Sequence, residues 1–306
     1  MSEAVVWGAG RLGLGLAVAL PTAGVSVLGA WSHSAAGARE AADLSGLPTW
    51  SGPAAALPEA GRAALAQAEL IFLTVRDDAI APTCQALCEA GLLRPGQALV
   101  HASGASDLGP LAPATALGLR VGSLHPLQAF SDRASAHTRF AGALAVVDAP
   151  SPLGEELEAI ARALEMRPTR LASTPAARAL YHAAAVNAAG NLVATLSLSL
   201  ELAAAAGLSP EEALSGLLTL ARGSLENLER LGDPGAALTG PVPRGDQAVI
   251  ERHLGAMAAA LPGPSESLYR ALSRRAIALC AEAGRLSPAA AQALRASTAP
   301  DEASRT

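Results

Sequence analysis

The sequence contains no lysine, and this absence removes several kinds of chemistry. All 22 residues counted as Lys or Arg are arginine. Lysine is the side chain that forms Schiff bases and, when its pKa is shifted, serves as a base or proton donor, whereas arginine stays protonated. The chain therefore works without a lysine nucleophile, base or proton donor.

Charged residues are also scarce, at 16% of the chain, and the formal net charge is −5. Nucleic-acid binding requires clustered cations to neutralise phosphates, and no basic stripe occurs here. A chain of 306 residues that is 51% hydrophobic is long enough for one large or two medium globular domains. The composition indicates a globular protein without a nucleic-acid partner.

Cysteine is rare as well. Cys84 and Cys88 lie four apart in a helical pattern and Cys280 is alone, which matches neither a Cys-x-x-Cys site nor a disulfide framework. We expect all three to be reduced and structural, and we expect no metal site. The chain enters an apolar run within a few residues, without a preceding basic region, so we expect no signal peptide and a cytoplasmic location.

The first apolar run, Val5 to Trp7, leads into a Gly-x-Gly-x-x-Gly turn, Gly8-Ala9-Gly10-Arg11-Leu12-Gly13. In such a turn Gly8 lets the chain leave the strand sharply, Gly10 leaves room for a pyrophosphate, and Gly13 lets the helix approach the strand. The helix N-terminus then faces the phosphates. The pattern predicts a dinucleotide site; the alternative is a tight turn that binds no phosphate.

The end of the second predicted strand, Val25 to Ala30, distinguishes between cofactors. NAD-binding proteins usually place an acid there for the ribose hydroxyls. This chain instead has Ser32, His33 and Ser34, with Arg39 one turn later and no acid before Glu40. These groups favour NADP, with its 2′-phosphate. The alternative is that Ser32 or Ser34 caps the next helix.

Strands and helices alternate as far as Leu171, which predicts an α/β fold with a doubly wound parallel sheet. Further strands are predicted at Leu70–Val75, Ala98–His101, Val121–Leu124 and Ala143–Val147. From Ser173 onward the pattern is helical, with segments at 175–206, 210–231, 247–261, 265–283 and 288–296. We therefore predict an NADP-binding Rossmann domain at 1–172 and a helical substrate and dimerisation domain at 173–306.

Residues 183 to 200 carry no charge, a length that is compatible with a membrane span. The stretch is mostly alanine and contains Asn187, Asn191 and several hydroxyl side chains, which argues against a span. We expect no membrane association and a helix buried on all sides, against its own domain and possibly a second subunit.

Three places near strand ends offer groups for chemistry. Thr74, Val75 and Arg76 follow a buried strand, where they would border the nicotinamide. Ser103 follows another strand, and His125 precedes a proline that excludes helical geometry. An unperturbed histidine titrates near neutrality and can donate or accept a proton. The alternatives are a plain turn at Ser103 and a His125 satisfied by the backbone.

Two further groups lie in the helical region. Asn187 and Asn191 would lie about 40° apart on one helix face and could bind substrate or the nicotinamide amide, or hydrogen-bond another helix. Arg244, in the loop Thr239–Asp246, suits a carboxylate or phosphate, or an internal acid. Asp246 can cap the helix that follows it.

Four motifs together resemble a known family: the glycine turn, Ser123–Phe130, Tyr181–Ala185 and Thr239–Asp246. The chain is similar to Rossmann-like proteins that carry the domain of unknown function 2520, and more distantly to pyrroline-5-carboxylate reductases, prephenate dehydrogenases and 6-phosphogluconate or β-hydroxyacid dehydrogenases. This resemblance implies an NADP-binding N-terminal domain, a helical dimerising C-terminal domain and an oxidoreductase activity. It also implies that His125-Pro126 lies near substrate, and that Asn187 stands where β-hydroxyacid dehydrogenases have lysine.

The leading hypothesis is an NADP-dependent oxidoreductase that transfers hydride to or from a small, anionic imine, keto or hydroxy acid and acts as a homodimer. In it His125 donates a proton or orients the substrate, with Ser103 beside it, and Asn187, Asn191 and Arg244 position the substrate. A non-catalytic NADP-binding sensor or assembly protein is the second hypothesis. An NAD-linked dehydrogenase of the prephenate type is the third.

Overall fold

The computed structural model describes residues 2–171, 174–261 and 263–300. The chain divides into two compact units, Met1–Ala189 and Gly190–Thr306. The domain boundary predicted from composition, between residues 172 and 173, lies outside the described residues. The first helix after that boundary belongs to the first unit.

The N-terminal unit is built on one sheet of eight strands in the order β3-β2-β1-β4-β5-β6-β7-β8. The strands are β1 Glu3–Trp7, β2 Ser26–Ser32, β3 Thr49–Ser51, β4 Leu70–Leu73, β5 Ala98–His101, β6 Arg120–Leu127, β7 Leu144–Asp148 and β8 Arg167–Arg170. All neighbours pair in parallel except β6 and β7, which are antiparallel. The carboxyl ends of β1 to β6 therefore share one edge of the sheet.

Helices cover both faces of this sheet. They are α1 Arg11–Ala19, α2 Ala35–Ser45, α3 Glu59–Gln67, α4 Asp77–Glu89, α5 Ala112–Ala116, α6 Leu153–Ala163 and α7 Pro175–Val186. One apolar cluster lies between the sheet and α1 and α6, and a second lies between the sheet and α3, α4 and α5. Successive residues of β1 point alternately into the two clusters, as a strand covered on both faces requires.

The predicted fold class is confirmed by this sheet and by the helical region that follows it. Two short edge strands, β3 and β8, were not expected. Neither carries an apolar run: β8 reads Arg-Pro-Thr-Arg and is mostly exposed. The antiparallel β7 also departs from an all-parallel sheet; the segment from Gln128 to Ala143 returns the chain without a crossover helix of the usual kind.

A π-helix, Asn187–Asn191, follows α7 and leads into the second unit. The helices of that unit are α8 Leu192–Ala205, α9 Pro210–Leu231, α10 Pro234–Ala237, α11 Gln247–Ala260, α12 Pro264–Glu282 and α13 Pro288–Ser297. α9 begins with the predicted capping box of Ser209 and Glu212. A small apolar core lies among α11, α12, α13 and the loop before α11.

The uncharged helical run is exposed rather than buried, which corrects the expectation from its composition. Over the run Pro175–Ala205, the most apolar 18-residue window has a mean hydropathy of 1.4, and only 6% of that window is buried within one chain. By length and composition such a run could cross a membrane, but a core helix of a soluble protein passes the same test.

Candidate active site

The glycine turn after β1 is held by backbone contacts that leave no room for side chains at two of its positions. The amides of Gly8 and Ala9 both donate to the carbonyl of Trp31, at 2.9 and 2.7 Å. A Cβ on Gly8, whose φ is +125°, would lie 2.7 Å from the Thr74 carbonyl carbon, and a Cβ on Gly13 would lie 2.0 Å from the Gly8 oxygen. These two glycines are required by packing alone.

Gly10 differs from the other two glycines. A Cβ there would have its nearest neighbour 4.0 Å away, so packing does not demand glycine at this position. Gly10 precedes α1, which begins at Arg11 and has no side-chain cap. The amides of its first turn, Arg11 to Gly13, are left for water or a ligand. Open space before an uncapped helix N-terminus fits a dinucleotide pyrophosphate.

The end of β2 carries the polar residues that distinguish the cofactors. Ser32 is buried, with 6% of its surface exposed. Ser34 accepts a hydrogen bond from the Gly37 amide at 3.0 Å and so caps α2. Helix capping is the role given above as the alternative to cofactor binding for this residue. His33 is exposed and stands edge-on to Trp31.

The loop after β4 contributes mainly to the glycine turn. The Thr74 hydroxyl donates to the Gly8 carbonyl at 2.8 Å, which ties the two loops together. Val75 packs against the second apolar cluster. The Arg76 side chain is 86% exposed and pairs with Asp78 at 2.8 Å. Thr74 thus supports the turn, while the Arg76 side chain lies in solvent, paired with Asp78.

His125 lies within β6 rather than after it, on the part of the strand that extends past the end of β5. The last residue pair between the two strands joins His101 to Ser123. The His125 Nδ1 lies 2.7 Å from the Tyr181 hydroxyl, and the two rings meet edge to face. Its Nε2 lies 2.9 Å from the position of a Cβ on Gly104, so residue 104 has to be glycine for the imidazole to fit.

Burial changes the acid–base properties of this pair. It lowers the pKa of His125 to about 4, and the neighbouring His182 and Arg178 lower that pKa as well. Burial raises the pKa of Tyr181 to about 12. The pKa of His125 thus lies below that of an unperturbed histidine, and near pH 7 the imidazole is neutral while the phenol keeps its proton.

Tyr181 is brought to His125 by a buried arginine one turn earlier on α7. Arg178 is fully buried, and its Nη2 donates to the Ser123 hydroxyl and to the Asp148 carboxylate, both at 2.8 Å. Its Nε and Nη1 have no hydrogen-bond partner among the described residues. Arg178 therefore joins α7 to β6 and β7 beside the site.

Ser103 and His101 form a buried turn on the other side of His125. The Ser103 amide donates to His101 Nδ1 at 3.1 Å, and the Ser103 hydroxyl accepts from the amides of Ala105 and Ser106. His101 Nε2 lies 3.0 Å from the Asp107 carbonyl oxygen. Burial lowers the pKa of His101 to about 4. The Ser103 hydroxyl oxygen thus accepts hydrogen bonds within its own turn, which agrees with the alternative that residue 103 belongs to a plain turn.

The remaining predicted residues lie elsewhere in the chain. Asn187 and Asn191 are the first and last residues of the π-helix, and both are exposed. The wider π turn changes the 40° separation expected for an α-helix, and such turns are frequent at functional sites. Arg244 is exposed in the second unit, where Asp246 caps α11 as predicted. That these residues act with His125 stays a prediction.

The structure thus brings His125 together with Tyr181, Arg178 and the Ser103–Gly104 turn at the carboxyl edge of the sheet. Tyr181 and Arg178 were not predicted as site residues, because both come from a helix more than 50 residues away. The motif Tyr181–Ala185 was the sequence signal for Tyr181, and nothing in the sequence singled out Arg178. No group of three or more His, Cys, Asp or Glu side chains within residues 2–171, 174–261 and 263–300 is placed to hold a metal ion.

Comparison with known families agrees with the motifs. Residues 143–276 match the family model for a domain of unknown function, DUF2520, and residues 3–126 match the model for a Rossmann-like domain. These matches confirm the resemblance identified from the sequence. No curated protein matches the chain in sequence.

Several solved structures are similar over nearly the whole chain. A proposed NADP oxidoreductase from Bacteroides fragilis is 26% identical, with a TM-score of 0.70 over 90% of this chain and 97% of that one. An imine reductase variant from Myxococcus stipitatus, solved with NAD+, is 18% identical (TM-score 0.57; 96% and 99% covered). The pyrroline carboxylate reductase of Plasmodium falciparum, solved with NADP, is 11% identical (TM-score 0.55; 97% and 98% covered). The last two likenesses show the fold alone.

Proposed function

We propose that this chain, in which a Rossmann-like domain precedes a DUF2520 domain, is an NADP-dependent oxidoreductase of a small imine, keto or hydroxy acid. The observation that carries this proposal is the His125–Tyr181 hydrogen bond at the same sheet edge as the glycine turn. The edge formed by the carboxyl ends of parallel strands is where ligands bind in such sheets.

The glycine turn would hold the cofactor. The open space at Gly10 and the first-turn amides of Arg11, Leu12 and Gly13 suit the pyrophosphate, and Ser32, His33 and Ser34 lie where the adenosine ribose belongs. Thr74, Val75, Arg76 and Ser103 would border the other half. When bound, the nicotinamide supplies or accepts a hydride.

The chain's own contribution is a fixed, neutral hydrogen-bond donor. With the Tyr181 hydroxyl donating to Nδ1, the imidazole of His125 holds its proton on Nε2. That N–H can donate a hydrogen bond to the nitrogen of an imine or the oxygen of a keto acid while the imidazole itself is uncharged. Because Tyr181 has a raised pKa, it remains a donor near pH 7 and keeps this tautomer in place.

Asn187, Asn191 and Arg244 are proposed to position the substrate on the chemistry of their side chains alone. Amides suit the polar atoms of the substrate, and the guanidinium of Arg244 suits a carboxylate in a bidentate arrangement. Because the chain has no lysine, the side chains proposed to position an anionic substrate are these three residues and His125.

A kinetic experiment tests this assignment. We expect the wild-type protein to bind NADPH, measured by quenching of Trp7, Trp31 and Trp50, and to oxidise it when supplied with small cyclic imines or keto acids. His125→Gln should lower kcat by about a hundredfold or more, and Tyr181→Phe by about tenfold. The affinity for NADPH should stay unchanged in both variants.

His137→Gln, an exposed histidine of the same unit, is the matched control and should keep full activity. Turnover that survives His125→Gln would remove His125 from the mechanism. NADPH binding that changes the oligomeric state, with no hydride transfer to any imine or carbonyl compound, would support the sensor alternative instead. Tighter binding of NADH than of NADPH would point to the NAD-linked alternative.

We further propose that the protein acts as a cytoplasmic homodimer through its C-terminal helices. Support comes from the exposed apolar side chains on these helices: Val193 is 66% exposed and Leu220 68%. Exposed apolar surface of this kind is typical of a subunit interface.

A further inference from the structure

A basic residue that the sequence did not single out lies at the start of α2. Arg133 belongs to the segment between β6 and β7, which turns back over α1: a Cβ on Gly15 would lie 2.7 Å from the Cβ of Ala136. This packing carries the segment across the face of α1 toward α2. Arg133 thereby reaches a helix almost a hundred residues earlier in the chain.

The guanidinium of Arg133 is held in a defined place. Its Nη1 donates to the Glu40 carboxylate at 2.6 Å, and 25% of the Arg133 side chain is exposed. Its Nη2 lies 3.6 Å from the position that a Cβ on Gly37 would occupy. The ion pair with Glu40 therefore orients the Arg133 guanidinium so that its Nη2 points toward the first turn of α2.

Two hydroxyls lie close to the same position, the one that a Cβ on Gly37 would occupy. The Oγ of Ser32 is 2.6 Å and the Oγ of Ser34 is 3.1 Å from the position of a Cβ on Gly37. Ser32 is more than nine-tenths buried, yet its hydroxyl makes no hydrogen bond to any residue in the described part of the chain. Ser34 accepts from the Gly37 amide and still has its hydroxyl proton to donate.

A guanidinium, two hydroxyls and the N-terminal turn of a helix form a donor set that matches a phosphate monoester. This set follows β2 directly, at the position where an acid would bind ribose hydroxyls in an NAD-binding protein. Arg39, the cation expected from the sequence, is exposed on α2, and no ion pair within residues 2–171, 174–261 and 263–300 orients it. The structure thus provides a better-placed cation from a distant segment.

We propose that Arg133 binds the 2′-phosphate of NADP together with Ser32 and Ser34, and that it determines the preference for NADP over NAD. This inference rests on the proposed nicotinamide dinucleotide cofactor. Glu40 has two opposing effects: it orients Arg133, and its negative charge repels the phosphate.

Binding of adenosine phosphates tests the proposal without any turnover. 2′,5′-ADP carries the 2′-phosphate and 5′-AMP lacks it, so calorimetric titration with each isolates the contact. We expect wild-type protein to bind 2′,5′-ADP more tightly than 5′-AMP. Arg133→Gln should weaken binding of 2′,5′-ADP by about tenfold to a hundredfold and leave 5′-AMP unchanged.

Two further variants separate a ligand role from a structural one. Glu40→Gln also removes the ion pair but frees the guanidinium, so 2′,5′-ADP should bind more tightly, and its affinity should fall more steeply with salt. Arg39→Gln should change the affinity for 2′,5′-ADP by less than twofold. If the pair only fastens the segment to α2, Arg133→Gln and Glu40→Gln will change binding in the same direction.

The outcomes also separate this inference from the proposed function. Wild-type protein that binds neither NADPH nor NADH overturns both. Wild-type protein that binds 2′,5′-ADP in preference to 5′-AMP, with Arg133→Gln unchanged, overturns the role of Arg133 and supports the NADP cofactor. Loss of the preference in Arg133→Gln, with binding of NADH retained, supports the inference.

Discussion

The N-terminal unit, Met1–Ala189, buries most of its apolar side chains within itself, apart from Leu44, Leu117 and, on α7, Leu180 and Val186, whereas the helical unit, Gly190–Thr306, leaves many more of its own exposed. Every residue of β4 and β5 is buried, and apolar clusters cover both faces of the sheet. In the helical unit the buried core is one small cluster, and α9 exposes Leu214, Leu220, Leu225, Leu228 and Leu231. The N-terminal unit thus has an extensive core of its own, whereas the helical unit leaves much of its apolar surface exposed in the single chain.

The buried polar groups differ in the same way. In the N-terminal unit, His101, Ser103, Ser123 and Arg178 gather at the carboxyl ends of β5 and β6. In the helical unit the buried polar side chains, such as Glu266 and Thr298, bond to neighbouring helix residues. Burial of polar groups at one sheet edge, at a cost in free energy, is typical of a functional site.

The largest expected effect concerns the buried ion pair of the N-terminal unit. Arg178→Met should lower the free energy of unfolding by about 3–5 kcal/mol, because it breaks a buried ion pair and Asp148 loses one of its partners, the guanidinium at 2.8 Å. Urea denaturation followed by tryptophan fluorescence measures it, since all three tryptophans are in this unit. Arg76→Met, at an exposed ion pair, should cost less than about 1 kcal/mol. Equal losses of unfolding free energy in Arg178→Met and Arg76→Met would contradict the view that the buried ion pair matters more than the exposed one.

The next effect is a loss of stability in mild acid. The folded pKa values of His101 and His125 are lowered to about 4, so the unfolded chain takes up protons first as the pH falls. Stability should be complete above about pH 6.5 and fall by about 2 kcal/mol per histidine between pH 7 and pH 5. Urea denaturation at each pH measures this slope, and His125→Gln or His101→Gln should each remove about half of it. A slope that is as steep in both variants as in the wild type would refute the assignment.

The smallest effect on unfolding is expected from the helical unit. Leu220→Gln changes a side chain that is 68% exposed in one chain, so the tryptophan-monitored free energy of unfolding should change by about 0.5 kcal/mol or less. The same change should shift a dimer toward monomer in analytical ultracentrifugation. Leu44→Gln, on an exposed helix position of the N-terminal unit, should leave the oligomeric state unchanged. A wild-type protein that sediments as a monomer would refute the homodimer.

Much of the fold followed from local pattern. β5, Ala98–His101, and α9, Pro210–Leu231, begin and end at the predicted residues, because an apolar run and a proline-containing capping box are strong local signals. β3 and β8 were missed because they are short edge strands without such runs. Edge strands gain their order from pairing with a neighbour rather than from burial on both faces.

The candidate site was predictable only in part. The glycine turn and His125 stood out in the sequence, and they lie at the same sheet edge. Tyr181 and Arg133 did not, since each reaches its partner across more than 50 residues of chain. Contacts between residues so far apart in the chain cannot be predicted from local periodicity or spacing.

By itself the sequence determined the fold class, the turn that suits a dinucleotide and the absence of lysine chemistry, since these depend on residue type and short-range spacing. Tertiary structure alone decided that His125 is neutral near pH 7, that α7 supplies Tyr181 and that Arg133 lies at the start of α2. The reason is physical: desolvation and hydrogen bonding depend on which distant segments exclude water from a group, and local sequence does not specify those segments.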